Sequence, residues 1–280
     1  MGTELNPKQS IDTFSYTKRL KFWTSSLWHV VYYGMDAIEI VLAVSTIMII
    51  PAMLFAIWAQ FAVMGRFNRY SNEASMSGMT GAQVARRLLD QNGCSHVTVE
   101  LTRGHLSDHY DPRKKAVRLS HDVYHSISLA ALGVAAHEVG HAVQDETNYP
   151  PLKIRQLVIK TTRLVNFFLM PLIIIGFIGM FVGLHFLSED FFFYFIIALC
   201  VMFGISFLIN LITLPTEFNA STRAQRMLDV ENIVTNPDEQ ESVRRVLGAA
   251  AMTYLAAMVL SLVQFLRFAS MLIIIAGRRR

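Results

Sequence analysis

The stretch Ala135-Ala136-His137-Glu138-Val139-Gly140-His141, in the middle of a 280-residue chain, is the sequence that decides the fold. On an α-helix the two histidines are four residues apart, so their side chains point from one face toward a common metal ion. Glu138 lies beside them as a candidate base, which gives the HExxH pattern of zinc peptidases. The surrounding run 129–143 is rich in alanine and apolar, which predicts a helix buried inside a catalytic domain.

The alternative interpretation is a helix with two surface histidines. The pattern arises by chance in roughly one chain in a hundred of this length, so it is a moderate signal by itself. Two neighbours argue against the chance interpretation: Glu138 lies beside a strongly apolar face, and Gly140 is a poor helix former. A glycine at that position predicts that another chain segment or a substrate approaches closely.

The whole composition is that of a membrane protein. Hydrophobic residues make up 53% of the chain and charged residues 16%, and the apolar residues are gathered in blocks. Residues 40–64 carry no charge and are long enough to span a bilayer, with an expected kink at Pro51. Two further uncharged stretches, 164–187 and 191–214, are separated only by Ser188-Glu189-Asp190. They predict a transmembrane hairpin.

The two ends of the chain are also predicted to meet the membrane. Aromatic and basic residues alternate between 14 and 33, which predicts a helix at the headgroup level, with a helix packed on protein as the alternative. Residues 246–266 are uncharged and rich in small side chains, which suits both a membrane span and a buried helix of the catalytic domain. Arg267 interrupts this run before 268–277 and the arginines of the C-terminus.

The polar region after the first span predicts a small α+β domain. A helix is expected over 80–91, ended by Gly93. Strands are expected over 97–102 and 116–119, and 108–112 is expected to form a turn or a strand edge. The fold class predicted is therefore an α-helical multi-pass membrane protein with an α+β zincin-like metallopeptidase domain carrying a small sheet.

These observations divide the chain into six segments. They are an amphipathic interfacial segment (1–36), a transmembrane helix (37–64), the peptidase domain with the HExxH helix (65–163), a transmembrane hairpin (164–214), a third-ligand helix with the remainder of the peptidase domain (215–245), and a membrane-associated or spanning helix with a basic tail (246–280).

A third metal ligand is expected after the hairpin. A zinc peptidase needs three protein ligands and an open fourth position. The hairpin crosses the membrane twice, so the chain that follows it returns to the side of His137. Glu217 emerges there directly from the last span of the hairpin and is the best candidate. The alternative is an interfacial carboxylate stabilised by a helix dipole.

The order of these features resembles a group of membrane metallopeptidases. HExxH, a hairpin and then a helix starting with a glutamate is the layout of membrane gluzincins such as HtpX and the CAAX prenyl proteases. The chain is more similar to the bacterial YugP-type neutral zinc metallopeptidases, over roughly residues 36–280. The motifs that carry the similarity are Asp108-His109-Tyr110-Asp111-Pro112, Val117-Arg118-Leu119-Ser120, Ala136-His137-Glu138-Val139-Gly140-His141, and Leu214-Pro215 followed by Glu217-Phe218.

The resemblance implies a zinc-dependent membrane endopeptidase that hydrolyses peptide bonds with a zinc-activated water. One Zn²⁺ per chain would be held by His137, His141 and Glu217, and Glu138 would be the general base. Membrane protein quality control or processing is the expected role. The resemblance does not supply a substrate.

The chain departs from the HtpX pattern at Ser221, where an aspartate usually stands. Ser221 or Asn219 is therefore left to orient a ligand histidine, with Arg223 on the same segment. The developing oxyanion needs one donor besides the metal. His109, Tyr110, Arg223 and Arg226 are candidates, and His109 is favoured. The alternative for His109 is a hydrogen bond within its own turn.

Substrate chains commonly bind such sites by adding a strand to an exposed sheet edge near the HExxH helix. The strand just upstream of that helix is the candidate for this edge. Its residues are Val117, Arg118, Leu119 and Ser120.

The basic residues favour a lipid surface and argue against nucleic acid as a partner. They are scattered or gathered at span ends, where they reach anionic headgroups. Because those ends flank the catalytic regions, we expect a bacterial inner-membrane protein with its catalytic side in the cytoplasm. The arginines 278–280 would argue against this orientation if 246–266 spans fully. A protein or peptide substrate and the lipid bilayer are the expected partners, and a membrane-protein partner or a homo-oligomer stays open.

Two other classes of protein are compatible with parts of this sequence. A catalytically inactive zinc-binding scaffold would keep the fold, but the ligands and the base are all present. A metal transporter needs ionisable residues in its spans, and the hairpin offers only His185. Cys94 and Cys200 are predicted to stay unpaired, because one lies in the polar domain and the other in a span.

Overall fold

The computed structural model describes residues 36–181 and 189–279 and is mostly helical. The predicted interfacial segment up to residue 35, residues 182–188 near the tip of the predicted hairpin, and Arg280 lie outside the described residues. The helices are α1 (Ala37–Tyr70), α2 (Gly81–Gln91), α3 (His121–Tyr124), α4 (Leu129–Glu146), α5 (Pro150–Phe181), α6 (Glu189–Val230) and α7 (Pro237–Arg278). The strands are β1 (Thr98–Thr102), β2 (His109–Asp111) and β3 (Ala116–Ser120).

Three helices of the described part, α1, α6 and α7, are long and apolar enough to cross a membrane. This assignment rests on their length and composition, and their large apolar side chains are widely exposed. On α1, for example, Ile47 is 70% exposed and Phe61 is 69% exposed. Apolar surface of this extent is unfavourable in water and favourable in a bilayer. The predicted fold class, a helical membrane protein with a small sheet, is confirmed.

The long helices run through the predicted segment boundaries. Helix α6 continues from the apolar stretch past Pro215 into the polar region, and α7 begins at Pro237 and continues through 246–266 without a break. In α5 the apolar part within the described residues is Phe167–Gly176. The predicted span 164–187 extends beyond the described part of this helix.

Helix α7 packs against two different parts of the molecule, the polar domain and α6. Val246 and Leu247 are buried in the core of the polar domain. Farther along, Ser261 Oγ accepts a hydrogen bond from Asn210 Nδ2 of α6 at 3.2 Å. Arg279 Nη1 lies 3.1 Å from Asp190 Oδ1, at the start of α6. The start of 246–266 is therefore a buried part of the polar domain, and a membrane crossing by the rest of α7 stays a prediction from its length and composition.

Helix α2 matches its prediction in detail. The Thr80 side chain accepts a hydrogen bond from the backbone N–H of Gln83, and the Gln83 side chain accepts from the backbone N–H of Thr80. This reciprocal capping box fixes where the helix begins. Gly93 follows its end with φ of +75°, a left-handed conformation that glycine adopts without strain.

The sheet has the strand order β1-β3-β2, with β1 parallel to β3 and β2 antiparallel to it. Strand β3 is thus central, and the prediction that 117–120 form an exposed edge is wrong. The physical reason is that Val117 and Leu119 are fully buried, Arg118 pairs with carboxylates on both neighbouring strands, and the backbone N–H of Ser120 donates to Asp108 Oδ1 at 2.7 Å. The edge that contacts the HExxH helix belongs to β2.

Candidate metal centre

Helix α4 carries the HExxH residues inside the domain. The Ser128 side chain caps it by accepting a hydrogen bond from the backbone N–H of Ala131. His137 and His141 project from one face, with ring centroids 4.8 Å apart. Burial of the helix on most of its surface holds both rings in place.

Glu217 of α6 reaches the two histidines across the helix packing. Its Oε2 lies 3.2 Å from His137 Nε2 and 3.6 Å from His141 Nε2, and its side chain is 2% exposed. One ligand atom from each residue lies within 4.8 Å of the others, and this is the one such group found among the described residues. Two imidazole nitrogens and a carboxylate oxygen suit a zinc ion.

Close packing of α4 on α6 makes this convergence possible. A Cβ atom added to Gly140 would lie 2.7 Å from the carbonyl oxygen of Ala220, which is closer than atoms of that kind approach. The expectation that another chain segment approaches Gly140 is confirmed, and that segment is the helix that carries Glu217.

Each histidine has a polar partner at Nδ1. Ser221 Oγ lies 3.2 Å from His137 Nδ1, and Gln144 Oε1 lies 3.0 Å from His141 Nδ1. An Nδ1–H donated to these oxygens leaves both Nε2 lone pairs directed at Glu217 Oε2. With the protons placed in this way, both Nε2 atoms could bind a metal ion.

Gln144 is itself fixed by acceptors. Its Nε2 donates to the carbonyl oxygen of Thr216 at 2.9 Å and to Asn219 Oδ1 at 3.0 Å. Asn219 Oδ1 also accepts from Arg223 Nε at 2.8 Å. Arginine can only donate, so the Asn219 atom that it contacts must be the amide oxygen. That oxygen in turn requires the Gln144 NH₂ group as its second donor, which leaves Gln144 Oε1 facing His141. Of the two residues that the sequence offers for orienting a histidine, Ser221 contacts His137 directly, whereas Asn219 contacts Gln144, the partner of His141.

Sequence reasoning did not single out Gln144. The available signal was its position three residues after His141, because residues three apart lie on the same face of a helix. Its complete burial is also unusual for a glutamine and requires hydrogen-bond partners.

Glu138 lies beside the histidines and is buried. Burial raises the pKa of its carboxyl to about 7, with His137 acting in the opposite direction and the Glu217 carboxylate adding to the rise. A dication at the neighbouring ligands would lower this pKa again by direct attraction. A group that titrates near neutrality can both accept and return a proton.

A cavity of about 150 Å³ opens in front of these residues. Strand β2 and its flanks form one wall, and α5 and α7 form others. Besides the HExxH residues and Glu217, its lining includes Asp108, His109, Tyr110, Leu152, Arg155 and Tyr254.

The four candidates for an oxyanion donor differ in their position and in their hydrogen-bond partners. His109 lines the cavity, but its Nδ1 lies 2.8 Å from the carbonyl oxygen of Ser107 in its own turn. The Tyr110 hydroxyl donates to Asp145 Oδ2 at 2.9 Å. Arg223 and Arg226 line a different cavity of about 470 Å³.

Asp145 joins strand β2 to the end of the HExxH helix. Besides the Tyr110 hydroxyl, it accepts from Lys115 Nζ at 2.7 Å and, through Oδ1, from Gln156 Nε2 at 3.4 Å. Although its burial acts in the opposite direction, these hydrogen bonds hold the pKa of Asp145 below its ordinary value. The network positions the cavity wall against α4.

Sequence reasoning also missed two cavity residues, Arg155 and Tyr254. Arg155 Nη1 lies 2.8 Å from Glu217 Oε1, an ion pair whose angles fall outside hydrogen-bond geometry. Tyr254 interacts with Glu217 through its hydroxyl. The sequence carries no signal for Tyr254, because it lies within an uncharged apolar stretch. It carries none for Arg155, because this residue looks like the other basic residues near the ends of apolar stretches.

The chain was compared with known proteins. A family model described as "Putative neutral zinc metallopeptidase" matches residues 45–273. A protein of Bacillus subtilis (strain 168), named "Putative membrane protease YugP", is 42% identical over 232 residues, which are 82% of this chain and 96% of the relative. No solved structure matches the chain. The matched range contains every residue of the metal centre described above.

Proposed function

This chain belongs to the neutral zinc metallopeptidase family, and from that premise we propose that it is a membrane endopeptidase of the gluzincin type. The observation that carries the proposal is the convergence of His137 Nε2, His141 Nε2 and Glu217 Oε2 beside Glu138. These residues would hold one zinc ion. The fit is supported by the donor set, because both Nδ1 atoms already have oxygen partners and only the inward-facing atoms are left for a metal.

Zinc at this position would supply a Lewis acid that acidifies water and polarises a carbonyl group. Glu138 would take the proton from the attacking water and return it to the leaving amine. The cavity in front of Glu138 would hold the substrate carbonyl group during this proton transfer. Arg155 would hold Glu217 Oε1 and so keep Oε2 directed at the histidines.

For the second donor to the oxyanion we propose Tyr254, with His109 as the alternative. The Tyr254 hydroxyl is directed into the cavity at Glu217, whereas His109 is partly committed to its own turn. A hydroxyl donor near the metal stabilises negative charge that develops on a substrate carbonyl oxygen.

We propose that the substrate backbone lies along the outer edge of β2 (His109–Asp111). This strand pairs with β3 on one side only, and it lines the cavity. Main-chain pairing with an edge strand gives affinity with broad tolerance of sequence. The substrates would be proteins or peptides at the membrane surface, and processing or quality control of membrane proteins would be the cellular role.

Localisation to the bacterial inner membrane, with the metal centre on the cytoplasmic side, also stays a proposal. Basic residues on that side support it, such as Arg66 and Arg69 at the end of α1 and Arg244 and Arg245 near the start of α7. The contact of Arg279 with Asp190 weighs against it, because it puts basic residues at the opposite end of the spans.

Metal analysis of the purified protein tests the ligand set. We expect about one zinc per chain, and Glu217→Ala should lose most of it because the third ligand is gone. Glu146→Ala, an exposed glutamate at the end of α4, is the matched control and should keep its zinc. Full zinc retention by a folded Glu217→Ala variant would place the third ligand elsewhere.

A peptidase assay then separates binding from chemistry. Glu138→Gln should keep zinc and lose activity by at least the roughly 10²- to 10⁴-fold of acid–base assistance, while Glu146→Gln should keep both. Zinc binding without any peptidase activity in the wild type would favour the alternative function, an inactive zinc-binding scaffold. Peptides that accumulate in cells carrying Glu138→Gln would identify the substrates.

A further inference from the structure

Arg267 is the one charged residue between 246 and 277. It lies on α7, beyond the part of this helix that packs in the polar domain, and it has no place in the mechanism. Its depth in the membrane can be derived from the contacts between α6 and α7.

These contacts fix the register of the two helices. At one end, Arg279 pairs with Asp190. Near the other, Tyr254 meets Glu217. Between them, the rings of Phe203 and Phe268 stack with centroids 5.5 Å apart.

Phe203 lies at the middle of the uncharged stretch 191–214 of α6, so Arg267, next to Phe268, lies near the midplane of the hydrocarbon layer. The distance along α7 from Arg267 to the end of the helix gives the same depth. At a rise of about 1.5 Å per residue, Arg267 is roughly 16 Å from Arg278, which is about half of a 30 Å hydrocarbon layer. An arginine side chain is roughly 7 Å long and cannot reach the headgroups from this depth.

The part of the chain that the structure describes supplies no counter-charge at this level. Among the described residues, Arg267 Nε is buried without a hydrogen-bond partner, and the guanidinium carbon lies 5.6 Å from the centre of the Phe268 ring. The sequence contains no Asp or Glu in 40–72, 150–188, 191–216 or 242–280. A second copy of the chain has the same spans and therefore also lacks a carboxylate at the midplane.

The neighbouring polar groups are neutral. Gln264, one turn earlier on α7, has a buried Oε1 that also lacks a partner among the described residues. An amide oxygen can accept a hydrogen bond from a guanidinium but does not neutralise its charge. Ionisable residues inside spans are costly and are kept where they pair with a charge or line a functional path.

We propose that Arg267 marks a contact surface for a transmembrane helix of a different protein, one that carries an Asp or Glu near its midpoint. The charge, the depth and the lack of an internal carboxylate all fit a partner of that chemistry. Arg267 as a residue is partly exposed although its Nε is buried, so part of its side chain faces outward from α7, where a carboxylate could reach it. The carboxylate would complete the ion pair within the hydrocarbon layer.

The test uses the full-length protein in phosphatidylcholine vesicles with a labelled synthetic helix of leucine and alanine. One version has a central Asp, a second has a central Asn, and a third has its Asp two turns from the centre. Energy transfer between protein and helix reports association. We expect the central-Asp helix to associate about tenfold more strongly than the other two, the effect of one interhelical polar pair of ordinary strength.

Substitutions of the protein complete the test. Arg267→Leu should remove the preference for the central Asp, and Arg267→Lys should keep most of it. Arg279→Leu, at the end of the span, should leave the preference unchanged. Equal association of the three helices with the wild type would overturn the proposal.

Thermal unfolding in detergent gives a second readout. Because Arg267 is unpaired without its partner, Arg267→Leu should raise the melting temperature and leave zinc content unchanged. A lower melting temperature would mean that the protein itself holds the guanidinium, and this result would also overturn the proposal. Neither readout depends on peptidase activity.

Discussion

A Cβ atom on Gly140 would lie 2.7 Å from the carbonyl oxygen of Ala220, so the absence of a side chain at residue 140 determines how closely the two helices that carry the proposed metal ligands approach. Gly140 belongs to the HExxH motif, and Ala220 lies one turn after Glu217. The spacing between the proposed metal ligands therefore depends on this contact between backbones.

Gly140→Ala should separate the helices and weaken zinc binding. A backbone carbonyl cannot move aside as a flexible side chain can, so we expect a loss of stability of about 1–3 kcal/mol from overpacking. Melting temperature and zinc content are the measurements. Gly248→Ala is the matched control, because nothing lies within 4 Å of a Cβ there. That variant should be neutral or slightly more stable. Normal zinc binding by Gly140→Ala would show that the helices can adjust.

Gln144→Met should weaken zinc binding while the protein stays folded. The substitution keeps the side-chain volume but removes the oxygen that faces His141 Nδ1. Loss of a hydrogen bond of this kind typically lowers metal affinity about 10- to 100-fold. Competition with a chromogenic chelator measures the affinity, and the absorption spectrum of the cobalt-substituted protein reports the ligand geometry. Gln91→Met, on the surface of α2, should change neither.

Asp145→Asn should lower stability at neutral pH, and the difference from the wild type should shrink in acid. The folded-state pKa of Asp145 is below its ordinary value because of its hydrogen bonds, although burial opposes them. The stabilisation is therefore fully present above the unfolded pKa near 4 and is lost as the pH falls through the lower folded value. Melting curves of both proteins between pH 7 and acid test this. A constant difference across that range would contradict it.

Tyr254→Phe should reduce turnover and leave zinc bound. Removing a donor to the oxyanion typically costs about 10²- to 10³-fold in kcat, and the ring that packs beside Glu217 is kept. Tyr149→Phe, before α5, is the control. A normal kcat in Tyr254→Phe would transfer the role to another donor, and His109→Ala would then be the variant to measure.

Cysteine labelling should find the two ends of α7 on opposite sides of the membrane. In a background without the two buried native cysteines, Met76→Cys and Asp238→Cys should react with a membrane-impermeant thiol reagent from the same side. Arg278→Cys should react only from the other side, because the helix between residues 238 and 278 is longer than the roughly 30 Å thickness of the hydrocarbon layer. Labelling of all three positions from one side of sealed vesicles would exclude a full crossing by α7. The same experiment with Ser188→Cys tests the predicted hairpin.

The sequence by itself determined those features of the structure that depend on residues close together in the chain. Hydropathy over a window of consecutive residues identified the apolar spans, and the four-residue spacing of His137 and His141 placed them on one helix face. Thr80 and Gly93 marked the limits of α2 in the same way, because capping and left-handed backbone conformations are local properties. Glu217 was also within reach of sequence, since the predicted hairpin would return the chain to the side from which it left.

Tertiary structure alone decided the parts that depend on distant packing. Strand order could not be read from the sequence, because a buried strand has the same pattern whether its neighbours lie on one side or both. For that reason the sequence predicts residues 117–120 as the edge strand, whereas the edge strand near the HExxH helix is β2. Distant packing also explains why the sequence did not point to three residues around the proposed metal centre, Gln144, Arg155 and Tyr254. Their roles arise from contacts between helices far apart in the chain, and no local pattern of residues carries that information.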